Sequence, residues 1–289
     1  MKGYLVVNSF MKTEKFISLY EMLSNAFKNR GVSLEIKQAS DISLKVGEPL
    51  NEKIDFAIFW DKDIYLAERL ENNGVRLFNS KRAVELCDNK IMMSQALAKA
   101  GIRIPKTYIA PKTFEGLGYI DRSFLKKVEK EIGYPMVIKE AYGSFGEQVY
   151  LANDEKTANE IIDKIGHKDF LMQEFIAASC GKDIRINVVG DKTVVSMLRE
   201  NKNDFRSNIS NGGSGSLFEP EESYIELAIA ATKALGLDFA GVDVMFGEDG
   251  PIICEFNSNP QFASTLKATG VNLADYIRDY ILAKLWKKA

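Results

Sequence analysis

Few residues in this chain are suited to activating a nucleophile. His167 is the only histidine among 289 residues, and it lies in a charged segment. Serine or cysteine catalysis through a histidine base would depend on this one residue, which argues against that chemistry. The three cysteines, Cys87, Cys180 and Cys254, are far apart and include no Cys-x-x-Cys pair, so a zinc site or a redox dithiol is not expected. We expect all three to be reduced residues of the core.

The chain also lacks a strong charge bias and long apolar runs. Lys and Arg total 38 against 40 for Asp and Glu, with neither sign concentrated in a tail, so nucleic acid is not an expected partner. The apolar run Tyr4 to Val7 is too short for a signal peptide or a membrane span. We therefore expect a cytoplasmic protein with no membrane partner, and we leave open whether it forms a homo-oligomer.

Two familiar nucleotide-binding motifs are absent. No Gly-x-Gly-x-x-Gly follows the first predicted strand, Tyr4 to Asn8, and no P-loop with Gly-Lys-Ser/Thr occurs. The N-terminal part nevertheless alternates predicted strands and helices, which favours a Rossmann-like parallel sheet. Asn8 and Ser9 fall at the carboxyl end of the first strand, where open α/β sheets bind ligands. They are either substrate contacts or a polar turn.

Length and element order predict three domains of mixed α/β and α+β class. The first, residues 1–88, is the Rossmann-like unit, and a helical pattern runs from Ser80 to Ala100 across its end. Residues 89–173 form a small α+β unit. Residues 174–289 contain two paired strands, a helix, a hairpin and a final helix, Leu273 to Lys287.

The hairpin in the third unit has a predictable loop. Two apolar runs, residues 239–247 and 251–257, flank Glu248-Asp249-Gly250. A three-residue loop that ends in glycine suits a type I turn closed by a residue with positive φ. This loop places Gly247 opposite Pro251.

The same register brings three oxygen ligands together. Asp243 falls opposite Glu255, and Asn257 follows two residues later on the same face of the strand. Two carboxylates and an amide carbonyl suit a hard cation such as Mg²⁺, which shares its shell with substrate phosphates, so a nucleotide is the expected partner. The alternative is a surface hairpin with ordinary acidic residues, but lone carboxylates inside apolar strands are costly to bury.

A glycine-containing turn joins two predicted strands of the second unit. The strand Met136 to Lys139 ends in a cation, and residues 141–146, Ala-Tyr-Gly-Ser-Phe-Gly, lead into the next strand. Glycines let backbone N–H groups approach phosphate oxygens, and Lys139 supplies positive charge for them. An ordinary hairpin turn that ends in lysine is the alternative.

Further polar residues suit the other parts of a nucleotide. The segment Gln173-Glu174-Phe175 connects the second and third units, and its extended backbone is suited to reading an adenine edge. Asp183 either accepts a hydrogen bond from a ribose hydroxyl or pairs with Lys182 or Arg185. Four residues at or beyond the end of the second strand of the third unit suit a triphosphate and a developing acyl phosphate: Arg199, Arg206, Ser207 and Asn208.

The ordered set of motifs resembles the ATP-grasp superfamily and, within it, the RimK-type carboxylate-amine ligases. The motifs are Asp88-Asn-Lys90, Lys139 with its glycine turn, Gln173-Glu-Phe-Ile, Asp183-Ile-Arg, Asp204-Phe-Arg-Ser-Asn208, Gly241-Val-Asp243 and Glu255-Phe-Asn257. The specificity of the resemblance lies in their order and spacing. It implies a three-lobed ATP-grasp fold with an N-terminal Rossmann-like, pre-ATP-grasp domain, and with ATP clamped between the second and third lobes.

The resemblance also implies roles for individual residues. Lys90 and Lys139 hold phosphates, and Ser144 lies in a lid. Glu174 and Phe175 receive adenine, Asp183 contacts the nucleoside, and Arg206, Ser207 and Asn208 lie against ATP and its metals. Asp243, Glu255 and Asn257 bind two Mg²⁺ ions, with Mn²⁺ as an alternative. The implied reaction converts a carboxylate to an acyl phosphate, which an amine displaces to form an amide. Arg199 is our choice for stabilising the oxyanion, and at least one substrate is an amino acid or peptide.

Two departures from the family pattern concern substrate choice. RimK-type ligases often carry a basic pair before Gly212-Gly213, where this chain has Asn208-Ile-Ser-Asn211, so glutamate transfer does not follow from the resemblance. Asn257 is followed by Ser-Asn-Pro-Gln-Phe rather than Ser-Pro-Gly, which puts larger side chains beside the acceptor region. The alternatives are a ligase that tailors peptides through side-chain amide or ester bonds, and a regulatory protein that binds ATP without turnover. The complete metal set argues against the regulatory protein.

Overall fold

The N-terminal part of the computed structural model, which describes residues 2–42, 45–50 and 52–286, is a parallel sheet with the order β2-β1-β3-β4. Its elements are β1 Gly3–Val7, α1 Glu14–Lys28, β2 Leu34–Gln38, β3 Phe56–Trp60, α2 Ile64–Asn72 and β4 Arg76–Phe78. All three strand pairs are parallel, as the alternation of strands and helices predicted. β1 and β3 are buried on both faces, which explains their continuous apolar sequences.

The helical pattern predicted from Ser80 to Ala100 follows this sheet, but a break at Asn89 divides it into two helices. The structure has α3, Lys81–Asp88, and α4, Lys90–Lys99. Between them Asn89 is extended, and its side-chain oxygen accepts hydrogen bonds from the backbone N–H groups of Ile91 and Met92. This N-cap stabilises the start of α4 and fixes the position of Lys90 at its first turn.

The second sheet is antiparallel, with the order β5-β8-β6-β7. Its elements are β5 Thr107–Ile109, α5 Ser123–Ile132, β6 Met136–Glu140, β7 Val149–Ala152, α6 Glu155–Ile165 and β8 Phe170–Glu174. Apolar residues from α5 and α6, among them Leu125 and Ile162, pack with Phe170 of β8 in one core. The other face of this sheet carries Val137, Lys139 and Gln173, which line a cavity against the third sheet.

The third sheet is also antiparallel, with the order β11-β10-β9-β12-β13. Its elements are β9 Lys182–Val189, β10 Lys192–Glu200, β11 Ser214–Leu217, α7 Glu222–Ala234, β12 Phe239–Gly247, β13 Gly250–Asn257, α8 Ala263–Thr269 and α9 Leu273–Trp286. β11 and α8 were not predicted, and the predicted end of the last helix, Lys287, lies outside the described residues. Within the described ranges, no helix has the length and apolar content needed to cross a bilayer.

The first and third sheets share a core. Leu23 of α1 and Ile277 of α9 belong to the same buried cluster as Phe239 at the start of β12. Asn79, which is fully buried after β4, donates to the carbonyls of Phe239 and Ser258 at 2.9 Å each. These contacts fix the carboxyl ends of the N-terminal strands beside the segment that follows Asn257.

The prediction that all three cysteines lie in the core is wrong for two of them. Cys87 is buried in α3, but Cys180 is exposed in the turn before β9, and Cys254 is half-buried on β13. Burial raises the pKa of the Cys254 thiol to about 11, which keeps it protonated at neutral pH.

Candidate active site

Two cavities meet where the third sheet faces the other two. The large cavity, of about 200 Å³, extends from the third sheet to the carboxyl ends of β1 and β3, and the small cavity, of about 90 Å³, lies between the second and third sheets. Arg199, Asn208, Asp243 and Glu255 line both. Of the other predicted site residues, Lys139, Glu174, Phe175, Asp183, Arg206 and Ser207 line the small cavity, and Ser144 and Asn257 line the large one. Lys90 lies behind them, with its Nζ 3.6 Å from Glu255 Oε1.

The hairpin β12–β13 brings Asp243 opposite Glu255 as predicted, but through a different loop. Gly247 pairs with Gly250, so the loop has two residues and the predicted pairing of Gly247 with Pro251 is wrong. A β-bulge then inserts Cys254 into β13 and shifts the register by one residue. The bulge therefore restores the pairing that a three-residue loop would have produced.

Charged residues of opposite sign alternate across neighbouring strands beside this hairpin. Asp183 of β9 lies opposite Arg199 of β10, and Arg185 of β9 lies opposite Asp243 of β12. Arg199 donates to both Asp183 oxygens at 2.7 and 2.5 Å, and its Nη2 is also 2.9 Å from Asp243 Oδ2. Asp183 thus pairs with Arg199 rather than with Lys182 or Arg185.

The two arginines keep Asp243 ionised despite its burial. Only 4% of Asp243 is exposed. Burial alone would raise the pKa of Asp243, but Arg185 and Arg199 outweigh it and hold the pKa below its usual range. Burial likewise opposes the charge of Arg199, yet Asp243 and Asp183 raise the pKa of its guanidinium. The network therefore holds fixed charges where the two cavities meet.

The donor chemistry of the hairpin fits a hard divalent cation. Asp243 accepts three N–H groups, two from Arg185 and one from Arg199, and a carboxylate has about four lone-pair sites, which leaves capacity for one more contact. Glu255 and Asn257 add carboxylate and amide oxygens on the wall of the large cavity. In the described part of the chain, no group of three or more His, Cys, Asp and Glu side chains is placed to hold a metal. A cation here would thus draw on Asn257 and on substrate oxygens as well.

The glycine turn between β6 and β7 is held closed over the cavities by side chains from other elements. Lys90 Nζ donates to the Gly143 carbonyl at 3.0 Å, Lys62 Nζ to Ser144 Oγ at 3.2 Å and Arg206 Nη1 to the Gly146 carbonyl at 2.5 Å. Gly146 has a φ of +76°, and a Cβ there would lie 2.8 Å from an Asn208 side-chain oxygen. The positive φ favours glycine at this position, and the absence of a Cβ leaves room for the Asn208 side chain.

Two predicted adenine contacts have partners of their own. Glu174 Oε1 accepts the backbone N–H of Lys106 at 2.7 Å, so this side chain helps to fix the connection between the second and third sheets. The Phe175 ring lies 6.5 Å from the ring of Phe205, and both rings line the small cavity. The wall next to the predicted phosphate contacts is thus partly aromatic.

The sequence did not single out Trp60, Asp61 and Lys62, which line the large cavity, and it named Arg185 only as a possible partner of Asp183. Gln261 also lines this cavity, and it belongs to the segment after Asn257 that was predicted to lie beside the acceptor region. Trp60 to Lys62 lie at the carboxyl end of β3, so the rule that directed attention to Asn8 and Ser9 could have found them. Asn8 does line this cavity, whereas Ser9 Oγ is 3.0 Å from Ser40 Oγ, as expected of a polar turn. Arg185 lies two residues after Asp183 on the same strand face.

Known proteins share both the sequence pattern and the fold. A model of the RimK-like ATP-grasp domain matches residues 87–281. Human N-acetylaspartylglutamate synthase A is 35% identical over 228 residues, which are 78% of this chain and 57% of that protein. Beta-citrylglutamate synthase B of Danio rerio is 34% identical over 230 residues, which are 78% of this chain and 55% of that protein. The chain thus spans somewhat over half the length of these two synthases.

A solved structure agrees over most of the chain. The RimK domain ATP-grasp protein of Sphaerobacter thermophilus superposes with a TM-score of 0.75, covering 97% of this chain and 99% of its own, at 21% identity. The ATP-grasp fold expected from the order of motifs is thereby confirmed. Because the domain model matches well over half of the sequence, the chain belongs to the RimK-like ATP-grasp family of carboxylate-amine ligases.

Proposed function

We propose that this RimK-like ligase uses ATP and Mg²⁺ to convert a substrate carboxylate to an acyl phosphate. An amine then displaces the phosphate, which yields an amide, ADP and inorganic phosphate. At least one of the two substrates is an amino acid or a peptide. The observation that carries the proposal is that Arg199, Asp243 and Glu255 line both cavities, so that groups bound in the two cavities would meet at these residues.

The small cavity suits the nucleotide. Aromatic and aliphatic side chains, including Phe175 and Met245, offer an apolar surface to a base, and the connection after β8 supplies backbone groups for its edge. Lys139 and Arg206 line the same cavity and supply positive charge for phosphates. Lys90 adds a third cation next to Glu255.

The hairpin suits the metal. We propose that Asp243, Glu255 and Asn257 hold two Mg²⁺ ions, for which Mn²⁺ can substitute. Magnesium bound there would neutralise phosphate charge during transfer of the γ-phosphoryl group. Residues of the chain supply the rest of the electrostatic stabilisation.

Arg199 is the proposed stabiliser of the oxyanion. Asp183 and Asp243 hold its guanidinium in one orientation, so little reorganisation is needed when negative charge develops nearby. The glycine turn around Ser144 acts as a lid that keeps water away from the acyl phosphate. Its contacts with Lys62, Lys90 and Arg206 support this role.

The names of the relatives suggest glutamate as one substrate to test. Both synthases described above are named for products that contain glutamate, but the chain spans only about half of their length. Glutamate therefore enters the experiment as one candidate among amino acids and short peptides.

The function is tested with purified protein, MgATP and pools of amino acids and short peptides. ADP and phosphate release are measured together with the mass of any product. We expect one pool to stimulate ADP release in step with a product that is lighter by one water than the sum of the two substrates. A product that contains a modified peptide side chain would favour the peptide-tailoring reaction. If no pool stimulates ADP release although nucleotide binds, the chain is a nucleotide-binding regulator instead.

A further inference from the structure

Buried polar atoms that lack hydrogen-bond partners are concentrated in the large cavity. Over the described ranges, five buried side-chain nitrogen or oxygen atoms have no partner, and four of them belong to residues that line this cavity. They are Trp60 Nε1, Asp61 Oδ2, Asn259 Oδ1 and Gln261 Oε1. Because buried polar atoms are nearly always paired in folded proteins, this concentration indicates the place of a ligand.

Asp61 is the strongest of the four indications. The residue is only 5% exposed, and its Oδ1 accepts the Asn8 amide at 3.1 Å and the Lys62 backbone N–H at 2.6 Å. Within residues 2–42, 45–50 and 52–286, Oδ2 has no partner and no salt bridge includes Asp61. The nearest lysine in sequence, Lys62, instead directs its Nζ to Asp88 and Ser144. The wall of the cavity thus carries a buried carboxylate with one oxygen for which the described residues supply no hydrogen-bond partner.

The amide of Asn259 has a defined orientation beside this carboxylate. Its Nδ2 donates to the backbone carbonyl of Asp61 at 3.0 Å, while its Oδ1 is buried and has no partner among the described residues. Gln261 Oε1, two residues further along, is a third acceptor on the same cavity. Three acceptors and one negative charge match an alkylammonium group, which has three N–H donors and one positive charge.

The remaining atom and the surrounding rings agree with this assignment. Trp60 Nε1 is a donor, so the ligand also carries an acceptor, as an amino acid does. Trp60 stacks on Phe239 with ring centroids 5.5 Å apart, which fixes the indole in place. Phe16 and Tyr20 line the same cavity. Aromatic faces attract cations, whereas Asp61 would repel a carboxylate bound in the same place.

We propose that Asp61, together with Asn259 and Gln261, binds a primary ammonium group of the amine substrate and selects for it. The inference builds on the proposed function, because it assigns this substrate to the large cavity. Asp61 lies before the region matched by the family model, which starts at residue 87. The selecting carboxylate is thus contributed by the N-terminal sheet, while the reacting groups are contributed by the third sheet.

The test compares the binding of matched probes that differ by one amino group. The pairs are L-lysine with L-norleucine, L-ornithine with L-norvaline and L-glutamate with glutarate, each titrated calorimetrically in the presence of Mg²⁺ and a non-hydrolysable ATP analogue. We expect the wild-type protein to bind at least one amine about 10-fold or more tightly than its partner. Asp61→Asn, which keeps the size and one oxygen, should bring that ratio close to one.

Two further variants make the result specific. Gln261→Leu removes one acceptor but leaves the charge, so it should lower the ratio by less than Asp61→Asn does. Glu68→Gln neutralises an exposed carboxylate on α2 that does not line the cavity, and it should leave the ratio unchanged. Circular dichroism of each variant checks that it is folded.

The outcomes separate this inference from the proposed function. If Asp61→Asn keeps the wild-type ratio, or if no pair shows a preference for the amine, the inference is wrong even when the enzyme forms amides. If Asp61→Asn abolishes the preference but no substrate pool releases ADP from the wild-type protein, the ammonium site stands and the proposed ligase reaction fails.

Discussion

Asp183 and Arg199 lie directly opposite each other on β9 and β10 and are joined by hydrogen bonds of 2.7 and 2.5 Å. The same guanidinium contacts Asp243, so one buried cation serves two buried carboxylates. Removal of a single partner from such a network leaves charges in a medium that solvates them poorly. Arg199 is therefore expected to contribute to stability as well as to the proposed catalysis.

Replacement of Arg199 by methionine tests the contribution to stability. We expect Arg199→Met to lower the free energy of unfolding by about 3 to 5 kcal/mol, because Asp183 loses its ion pair and Asp243 keeps only Arg185. Urea denaturation measures this change. Arg103→Met is the control, since Arg103 contacts Asp249 at the surface and its loss should cost less than about 1 kcal/mol. Equal losses in the two variants would contradict the prediction.

The hairpin shows how far the sequence could predict the site. Period-two alternation identified Asp243, Glu255 and Asn257 correctly as neighbours. The three-residue loop predicted to set this register was wrong. The two-residue loop and the bulge at Cys254 instead shift the register in opposite directions and cancel. A bulge depends on the fit of β13 to the rest of the sheet, and no local sequence rule specifies it.

Two other differences between prediction and structure have separate origins. The break at Asn89 could have been read from its N-cap chemistry, because an Asn before a helical run often starts a new helix. The placement of Asp61 beside Asn259 could not, since these residues are distant in the chain and meet only when the first and third sheets share a core. Long-range packing therefore decides which polar side chains line the large cavity.

Glu255 allows a direct test of the proposed metal site. We expect Glu255→Gln to raise the Mg²⁺ concentration needed for half-maximal ADP binding by at least about 10-fold, because the variant removes the charge of a proposed ligand and the ion-pair partner of Lys90. Isothermal titration with ADP at a series of Mg²⁺ concentrations measures the effect. Glu248→Gln, in the exposed loop of the same hairpin, should bind as the wild type does. An unchanged Mg²⁺ requirement in Glu255→Gln would rule out this ligand.

Arg206 provides a test of the lid. Its Nη1 donates to the Gly146 carbonyl, so we expect Arg206→Ala to open the glycine turn more often. Hydrogen exchange of the backbone amides in residues 143–147 should become about 10-fold faster, as expected for the loss of a hydrogen bond to a charged group. Arg122→Ala serves as the control, because Arg122 makes its contacts within the second unit, with Asn159 and Asp163. The same exchange rates in both variants would show that Arg206 does not hold the lid.

Two buried aspartates of the large cavity should respond to pH in opposite ways. Burial raises the pKa of Asp61, and the charge of neighbouring Asp63 raises it further. Hydrogen bonds from the Asn8 side chain and from the backbone of Lys62 and Asp63 offset this only in part. Burial and Asp61 together raise the pKa of nearby Tyr20 to about 12, so this phenol stays neutral across the range considered. For Asp243, by contrast, the two arginines hold the pKa below its usual range.

The direction in which each aspartate changes folding stability with pH follows from proton linkage. An aspartate whose pKa is raised by folding binds a proton more tightly in the folded state, so stability is lost as the pH rises above the unfolded value of about 3.9. At pH 7, Asp61→Asn should therefore raise the melting temperature, and the gain should disappear as the pH falls toward 4. Asp243 contributes stability above the unfolded value that is lost as the pH falls below it, so Asp243→Asn should lower the melting temperature at pH 7.

Thermal melts of the wild type and both variants between pH 4 and pH 8 test this pair of predictions. Because Asp61→Asn and Asp243→Asn remove the same charge from one cavity, each variant is the control for the other. A shift of the melting temperature in the same direction at pH 7 would show that the two carboxylates do not differ in the way their neighbours imply. Opposite shifts would mean that the protein keeps Asp61 ionised at a cost in stability, as expected of a carboxylate whose partner is a substrate rather than another residue.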